Sequence, residues 1–343
     1  MILEYVLFIV GIGLLIKGAD FLVEGSSSLA KKLGIPTLMI GLTIVAFGTS
    51  MPELVVNIIA ALNGSTDVAF GNIIGSNIAN LLLVLGVVAI ITPLKVQRST
   101  VWKEIPFSLL AVGVLFILSN YLLIDNINST SLTRVSGLIL ICFFAVFIYY
   151  TVGLARKNKA QLEDKKMEIV KFNGWKVFLM IIVGLVGLYF GGKWVVEGAV
   201  FIARQFGLSE FLISATIIAI GTSLPELVTG VNAARKKDVD LAVGNSIGSN
   251  IFNIFWVLGI TALVAPIVIP SFINFDILFL MAVTFRGFHG RIESAQAIMK
   301  GYEIFYNFIR KHQAIGVCPY ELATDIKLEN PNKWLELINL SKN

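Results

Sequence analysis

One apolar sequence occurs twice in this chain, and few features restrict a fold more. Residues 41–86 read GLTIVAFGTSMPELVVNIIAALNGSTDVAFGNIIGSNIANLLLVLG, and residues 216–259 read TIIAIGTSLPELVTGVNAARKKDVDLAVGNSIGSNIFNIFWVLG. Glu53 returns as Glu226, Gly71 as Gly244, Ser76 as Ser249 and Asn80 as Asn253, each 173 positions later and without a gap. The register also holds outside the motifs, where Glu24 and Gly25 match Glu197 and Gly198, Gly34 matches Gly207 and Pro93 matches Pro266. The chain is therefore an internal duplication, with motif regions 41–86 and 214–259.

These motifs lie in a chain of 343 residues that is 56% hydrophobic and only 14% charged, with a mean hydropathy of +0.84. That composition excludes an ordinary soluble domain and identifies a polytopic membrane protein. Cys142 lies in an apolar run and Cys318 in a polar one, which gives neither a disulfide framework nor metal-ligand spacing. The first apolar run has Glu4 and no basic region before it, so it reads as a first span and not as a removable signal.

A span needs about 20 apolar residues. The apolar runs predict helices at 4–25, 36–62, 68–93, 104–123, 132–154, 175–203, 209–234, 240–265 and 272–285. Basic residues collect after every second run: Lys31 and Lys32; Lys95, Arg98 and Lys103; the loop 155–174 with Arg156, Lys165 and Lys171; then Arg235, Lys236 and Lys237. Basic loops face the cytoplasm, which places the N-terminus outside and the loop 155–174 inside. Five helices in the first repeat then force the second to enter the membrane upside down. The predicted fold is an all-α polytopic membrane protein of two inverted-topology repeats of five transmembrane helices, the arrangement that puts a substrate site near the midplane.

The second repeat is truncated. From Arg286 to Asn343 charged residues are about twice as dense as before, and both histidines, His289 and His312, lie there. The ninth run covers only about 21 Å at about 1.5 Å per residue, against a hydrocarbon core of about 30 Å. The counterpart of 132–154 falls at 305–327, which carries Arg310, Lys311, Glu321, Asp325 and Lys327 and does not span. The second repeat should lack the helix covering its outer face, leaving its seventh and eighth helices less shielded. The expected organisation is a first repeat 1–154, a basic loop 155–174, a second repeat 175–285 cut in its ninth helix, and a foreign soluble tail 286–343.

The motifs supply the chemistry. Thr49 and Ser50 stand four and three positions before Glu53, so two hydroxyls share the carboxylate's helical face; Thr222, Ser223 and Glu226 repeat this. Pro52 and Pro225 withhold a backbone donor inside each helix, freeing carbonyls that a cation could engage. Asn72, Ser76 and Asn80, and Asn245, Ser249 and Asn253, follow at successive fours. Every ligand type offered is an oxygen, which suits calcium and sodium, and the motifs hold no histidine or cysteine for zinc or copper. Two carboxylates are neutralised by one divalent ion or two monovalent ones. Small and hydroxyl residues in membrane helices are also ordinary packing residues, but two copies of a Pro-Glu motif in opposite orientation argue against packing alone. Asn72, Asn77, Asn245 and Asn250 fit interhelical hydrogen bonding as well as ion contact. Lys17, Asp20, Glu24, Lys193 and Glu197 read as solvated or locally paired near helix ends.

At GTSMPE with GNIIGSNIAN, and GTSLPE with GNSIGSNIFN, the chain resembles the cation/calcium exchanger superfamily, in particular its prokaryotic sodium/calcium antiporters, over about residues 1–285. The resemblance implies a ten-helix antiporter that moves calcium against sodium or protons by alternating access, with helices one and six sliding. It implies ion contacts from Glu53 and Glu226, from the hydroxyls of Thr49, Ser50, Ser76, Thr222, Ser223 and Ser249, from the carbonyls of Ala46 and Ala219, and from the side chains of Asn80 and Asn253. Several members of the superfamily have an aspartate where Asn253 stands. The segment RGFHGRIESAQAIMKGYEIFYNFIRKHQAIG resembles the end of DDE-type insertion-sequence transposases, as if a mobile element had interrupted an exchanger gene. With eight basic against six acidic residues, this tail has no nucleic-acid footprint. The expected partners are calcium and sodium ions and the lipid bilayer, with no cofactor and no enzymatic role. The alternative to a working antiporter is a truncated fusion product that does not transport.

Overall fold

Hydrocarbon offers backbone N–H and C=O groups no partner, so a chain this apolar closes its hydrogen bonds within helices. The computed structural model describes residues 2–94, 103–125, 131–162, 173–207, 219–270 and 273–286. They form α1 (Ile2–Leu33), α2 (Thr37–Thr49), α3 (Met51–Leu62), α4 (Val68–Ile91), α5 (Glu104–Asp125), α6 (Arg134–Leu162) and α7 (Gly174–Gln205). There follow a single turn α8 (Ala219–Gly221), α9 (Leu224–Arg235), α10 (Val239–Val264) and α11 (Ile273–Arg286). Two short strands, β1 (Ser131–Leu132) and β2 (Ile267–Val268), pair antiparallel. The chain divides into two compact units, Met1–Phe288 and His289–Asn343. The second, with the transposase-like tail, lies outside the described residues.

Helices α1, α4, α6, α7 and α10 are each long and apolar enough to cross a bilayer, and α2 with α3 make a sixth span bent by 42°. α5 is apolar over its 22 residues, and α11, of 14 residues, is apolar but shorter. The protein is an all-α polytopic membrane protein, and each of the nine expected spans carries helix among the described residues. α1 is longer than its apolar run suggests, because Ser26 and Ser28 bury against neighbouring helices and carry the helix to Leu33. The charged residues expected near helix ends therefore sit along α1 and α7 instead. Glu24 is exposed there, and the other four are paired: Lys17 with Asp20 at 4.0 Å, Asp20 with Lys236 at 3.6 Å, and Lys193 with Glu197 at 3.8 Å. Asp238 caps α10 at the N–H of Leu241 and also accepts from Ser27 at 2.6 Å and Thr37 at 2.7 Å, joining α1, the start of α2 and α10.

The repeats meet through glycines. A Cβ on Gly11 would lie 3.0 Å from the carbonyl oxygen of Gly191, and one on Gly184 would lie 2.9 Å from that of Gly18. These two contacts are copies at the 173-residue offset, and rising numbers in α1 meet falling numbers in α7, so the pair is antiparallel. Small residues let membrane helices approach this closely where hydrophobicity supplies no drive. A second glycine seam joins α2 to α10, where a Cβ on Gly244 would lie 2.5 Å from Leu38 O and one on Gly248 2.8 Å from Leu42 Cα. This seam carries the first motif onto the second.

The fifth helix of the first repeat, α6, packs on α10 of the second repeat. Phe144 meets Phe252 at 4.8 Å and Trp256 at 5.1 Å, Phe143 stacks on Phe255, and a Cβ on Gly137 would lie 2.8 Å from Gly259 O. This cross-repeat packing corrects one expectation. The polar residues of the seventh and eighth helices are well shielded, with Thr229, Asn245, Ser246 and Ser249 fully buried. Of the two copies, α4 of the first repeat is less buried among the described residues than α10 of the second, and Ile90, the copy of Leu263, is 86% exposed.

Candidate functional site

Glu53 and Glu226 each stand in the first turn of a helix that begins at a break within an apolar stretch. Ser50 and Ser223 interrupt the two copies with nearly the same backbone, φ −82° ψ 4° and φ −87° ψ 4°. The expectation of a proline inside a continuous helix is corrected here. Pro52 and Pro225 lie at the start of fresh helices, α3 and α9, where an N–H is not needed and the fixed φ suits the first turn. Each carboxylate consequently sits at a helix N-terminus, whose unbonded N–H groups and dipole favour negative charge. The Ala46 carbonyl accepts from the N–H of Ser50 at 3.0 Å, whereas the N–H of Ser223 turns to Ile220 O at 3.1 Å. Ala219 forms the first residue of α8.

The glycine seam brings the motifs into contact. Thr49 has one proton and gives it to Asn245 Oδ1 at 3.2 Å, so the hydroxyl of Ser249, also at 3.2 Å, is the donor in their pair. The second repeat does the same: Thr222 donates to Asn72 Oδ1 at 3.2 Å, and Ser76 approaches Thr222 at 3.5 Å. Asn245 and Asn72 thus hold threonines across the repeat interface.

Four further asparagines form a knot on the pseudo-two-fold axis. Asn77 Nδ2 donates to the backbone oxygen of Asn250 at 3.2 Å, and Asn250 Nδ2 to that of Asn77 at 3.1 Å. A backbone carbonyl only accepts, so both amide orientations are determined, and each Oδ1 is left to accept. Asn253 Nδ2 donates to Asn77 Oδ1 at 3.0 Å and Asn80 Nδ2 to Asn250 Oδ1 at 3.1 Å. The amide oxygens of Asn80 and Asn253 therefore have no protein partner. Neither do both carboxylate oxygens of Glu53 and of Glu226, or the hydroxyls of Ser50 and Ser223. All six residues are at most 2% exposed. These eight oxygens come in copies 173 apart, and buried polar atoms without partners cost about 1–3 kcal/mol each unless something else engages them. Among the described residues there is no group of three or more histidine, cysteine, aspartate or glutamate side chains. The donor set is two carboxylates completed by neutral hydroxyl and amide oxygens, which fits a hard cation.

The sequence reading missed Asn57, Thr229 and Ser246. Asn57 accepts from Asn72 at 3.5 Å with its own amide nitrogen unpaired, and the hydroxyls of Thr229 and Ser246 are buried without a partner. Spacing could have found the first two, since Asn57 follows Glu53 by four positions and Thr229 follows Glu226 by three, which puts each on its glutamate's face. The knot also gives a test. Asn77→Ala removes the acceptor that orients Asn253 and the donor to Asn250, leaving buried groups unpaired at about 1–3 kcal/mol. Calcium affinity by isothermal titration should fall about tenfold although Asn77 offers the site no free oxygen. An unchanged affinity would show that Asn253 is oriented by other contacts.

The sequence model for sodium/calcium exchanger proteins matches residues 3–153 and 176–289. The inner membrane protein YrbG of Escherichia coli is 38% identical over 272 residues, which cover 78% of this chain and 81% of that protein. The putative antiporter CaxA of Alkalimonas amylolytica is 40% identical over 277 residues, covering 79% and 84%. The sodium/calcium exchanger MaX1 of Methanosarcina acetivorans is 30% identical over 294 residues, covering 77% and 84%. Among solved structures, the sodium-calcium exchanger NCX_Mj superposes with a TM-score of 0.75 at 28% identity, over 90% of this chain and 99% of its own. With both repeats inside the matched residues, this integral, multi-pass chain belongs to the sodium/calcium exchanger family of cation antiporters.

Proposed function

We propose that this protein exchanges calcium for sodium or protons by alternating access, binding the ions in turn near the membrane midplane between its repeats. The observation that carries this reading is the set of eight buried, unpartnered oxygens on Glu53, Glu226, Ser50, Ser223, Asn80 and Asn253. Thr49, Ser76, Thr222 and Ser249 complete the wall, and the carbonyls of Ala46 and Ala219 contribute backbone oxygen. A charge of −2 balances one calcium or two sodium ions, so the two substrates compete for one site. Glu53 and Glu226 supply the charge, and the asparagines and hydroxyls replace the hydration shell. The basic residues of 155–174 orient the N-terminus outward and this loop to the cytoplasm. The name of the Escherichia coli relative, an inner membrane protein, supports placement in a prokaryotic cell membrane.

Proteoliposomes loaded with sodium and diluted into sodium-free calcium solution test the exchange, with a proton gradient as the second arm. Calcium uptake that requires either gradient and is lost in Glu53→Gln supports antiport. The bare face of α4 and the charged segment 305–327 favour a second reading, a truncated product that binds ions without moving them. Calcium binding without uptake on either gradient would decide for that product.

A further inference from the structure

α1, α2, α6 and α7 border an open cavity of about 630 Å³ whose lining includes none of the candidate ion-site residues. Its walls are apolar, including Leu29, Ile44, Phe47, Ile181 and Leu185. Thr43 also faces it, but that hydroxyl is spent on Met39 O at 2.7 Å, leaving the methyl group to the wall. Along α7 the lining runs from Gly174 to Leu185, about 16 Å at about 1.5 Å per residue. This is close to the depth of one leaflet, half of a hydrocarbon core of about 30 Å.

The mouth of this cavity is cationic. Lys32 lines it, with its Nζ lying over Gly174. Lys31 precedes it in the last turn of α1, Lys176 is in the first turn of α7, and Arg156 lies two turns beyond the lining residue Ile148 on α6. Trp175, 67% exposed and stacked on Phe178, marks the membrane interface at the same level. An apolar slot one leaflet deep, closed at the interface by lysine, matches a lipid whose acyl chain fills the slot and whose phosphate meets the cations.

We infer that this cavity binds one anionic phospholipid, acyl chain inward, with its phosphate on Lys32. The position has a consequence for the ion site. Ile44 and Phe47 belong to α2, which ends at the break before Glu53, and Phe252 at the inner end precedes Asn253. A seated acyl chain packs on both motifs at once.

Native mass spectrometry of the full chain with equal amounts of dioleoylphosphatidylglycerol and dioleoylphosphatidylcholine tests the inference without any transport assay. Phosphatidylglycerol adducts should exceed phosphatidylcholine adducts by about fivefold. Lys32→Glu, at an exposed position that burial does not constrain, should erase that preference. Ile182→Trp, which fills the slot from a residue 41% exposed, should reduce retention of phosphatidylglycerol to the phosphatidylcholine level. Equal retention of the two lipids, or a preference that survives both variants, overturns the inference.

Discussion

Glu53→Gln and Glu226→Gln should each abolish calcium binding, because each removes one of the two formal charges among the unpartnered oxygens of the site. A carboxylate about 4 Å from a unit charge is worth about 4 kcal/mol at an effective dielectric constant of about 20, and more against a divalent ion. That is a loss on the order of 1,000-fold in affinity. The substitutions are nearly isosteric and leave the helix starts at Ser50 and Ser223 intact, so the folded fraction should not change. Isothermal titration of the purified variants measures it. The internal two-fold also predicts symmetry, since the oxygens around Glu53 and Glu226 are copies of one another and the two losses should be of similar size. A calcium affinity within twofold of the parent for either variant would rule out a shared two-carboxylate site.

The second large effect concerns the end of the chain. Replacing residues 286–343 with two apolar spans of about 20 residues each should restore or sharply raise calcium uptake. The fold says where the last span would act. α6 covers α10 through Gly137, Phe143 and Phe144, and the copy of that surface on α4 is Leu82, Leu83, Gly86 and Ile90. A helix with a small residue opposite Gly86 would make α4 as buried as α10. α4 carries Ser76 and Asn80, so a loss of only about 1.4 kcal/mol in holding it in the transporting arrangement slows uptake about tenfold. Vesicle uptake by the unmodified chain at the rate of the repaired one would show that a covering helix on α4 is dispensable. A cysteine at position 83, shielded from a membrane-soluble thiol reagent only in the repaired chain, would check the contact independently of transport.

The duplication, the class of fold and the identity of the charged residues could be read from the linear chain, for physical reasons that act locally. A run of apolar residues long enough to span must become a helix, since lipid satisfies no backbone group. A glutamate kept in such a run points to a cation whatever its surroundings. The offset of 173 then pairs Glu53 with Glu226 before any coordinates are known. Three things were decided only by tertiary structure. The first is the proline break: a proline within an apolar run is compatible with a kink or with a fresh helix start, and the packing of α2 on α10 selects the start. The second is the division of labour among the asparagines. Asn77 and Asn80 are chemically the same, three residues apart on one helix. Only the opposing pair Asn250 and Asn253 makes one an internal clamp and leaves the other with a free oxygen. The third is which repeat's eighth-helix copy is better covered. Sequence order suggested that the second repeat would be the less shielded, but α6 of the first repeat packs on α10 of the second, and α4 is the more exposed of the two copies. Each of these depends on contacts between residues far apart in the chain, such as Leu38 with Gly244, Asn77 with Asn250 and Phe144 with Phe252, and no local periodicity contains them.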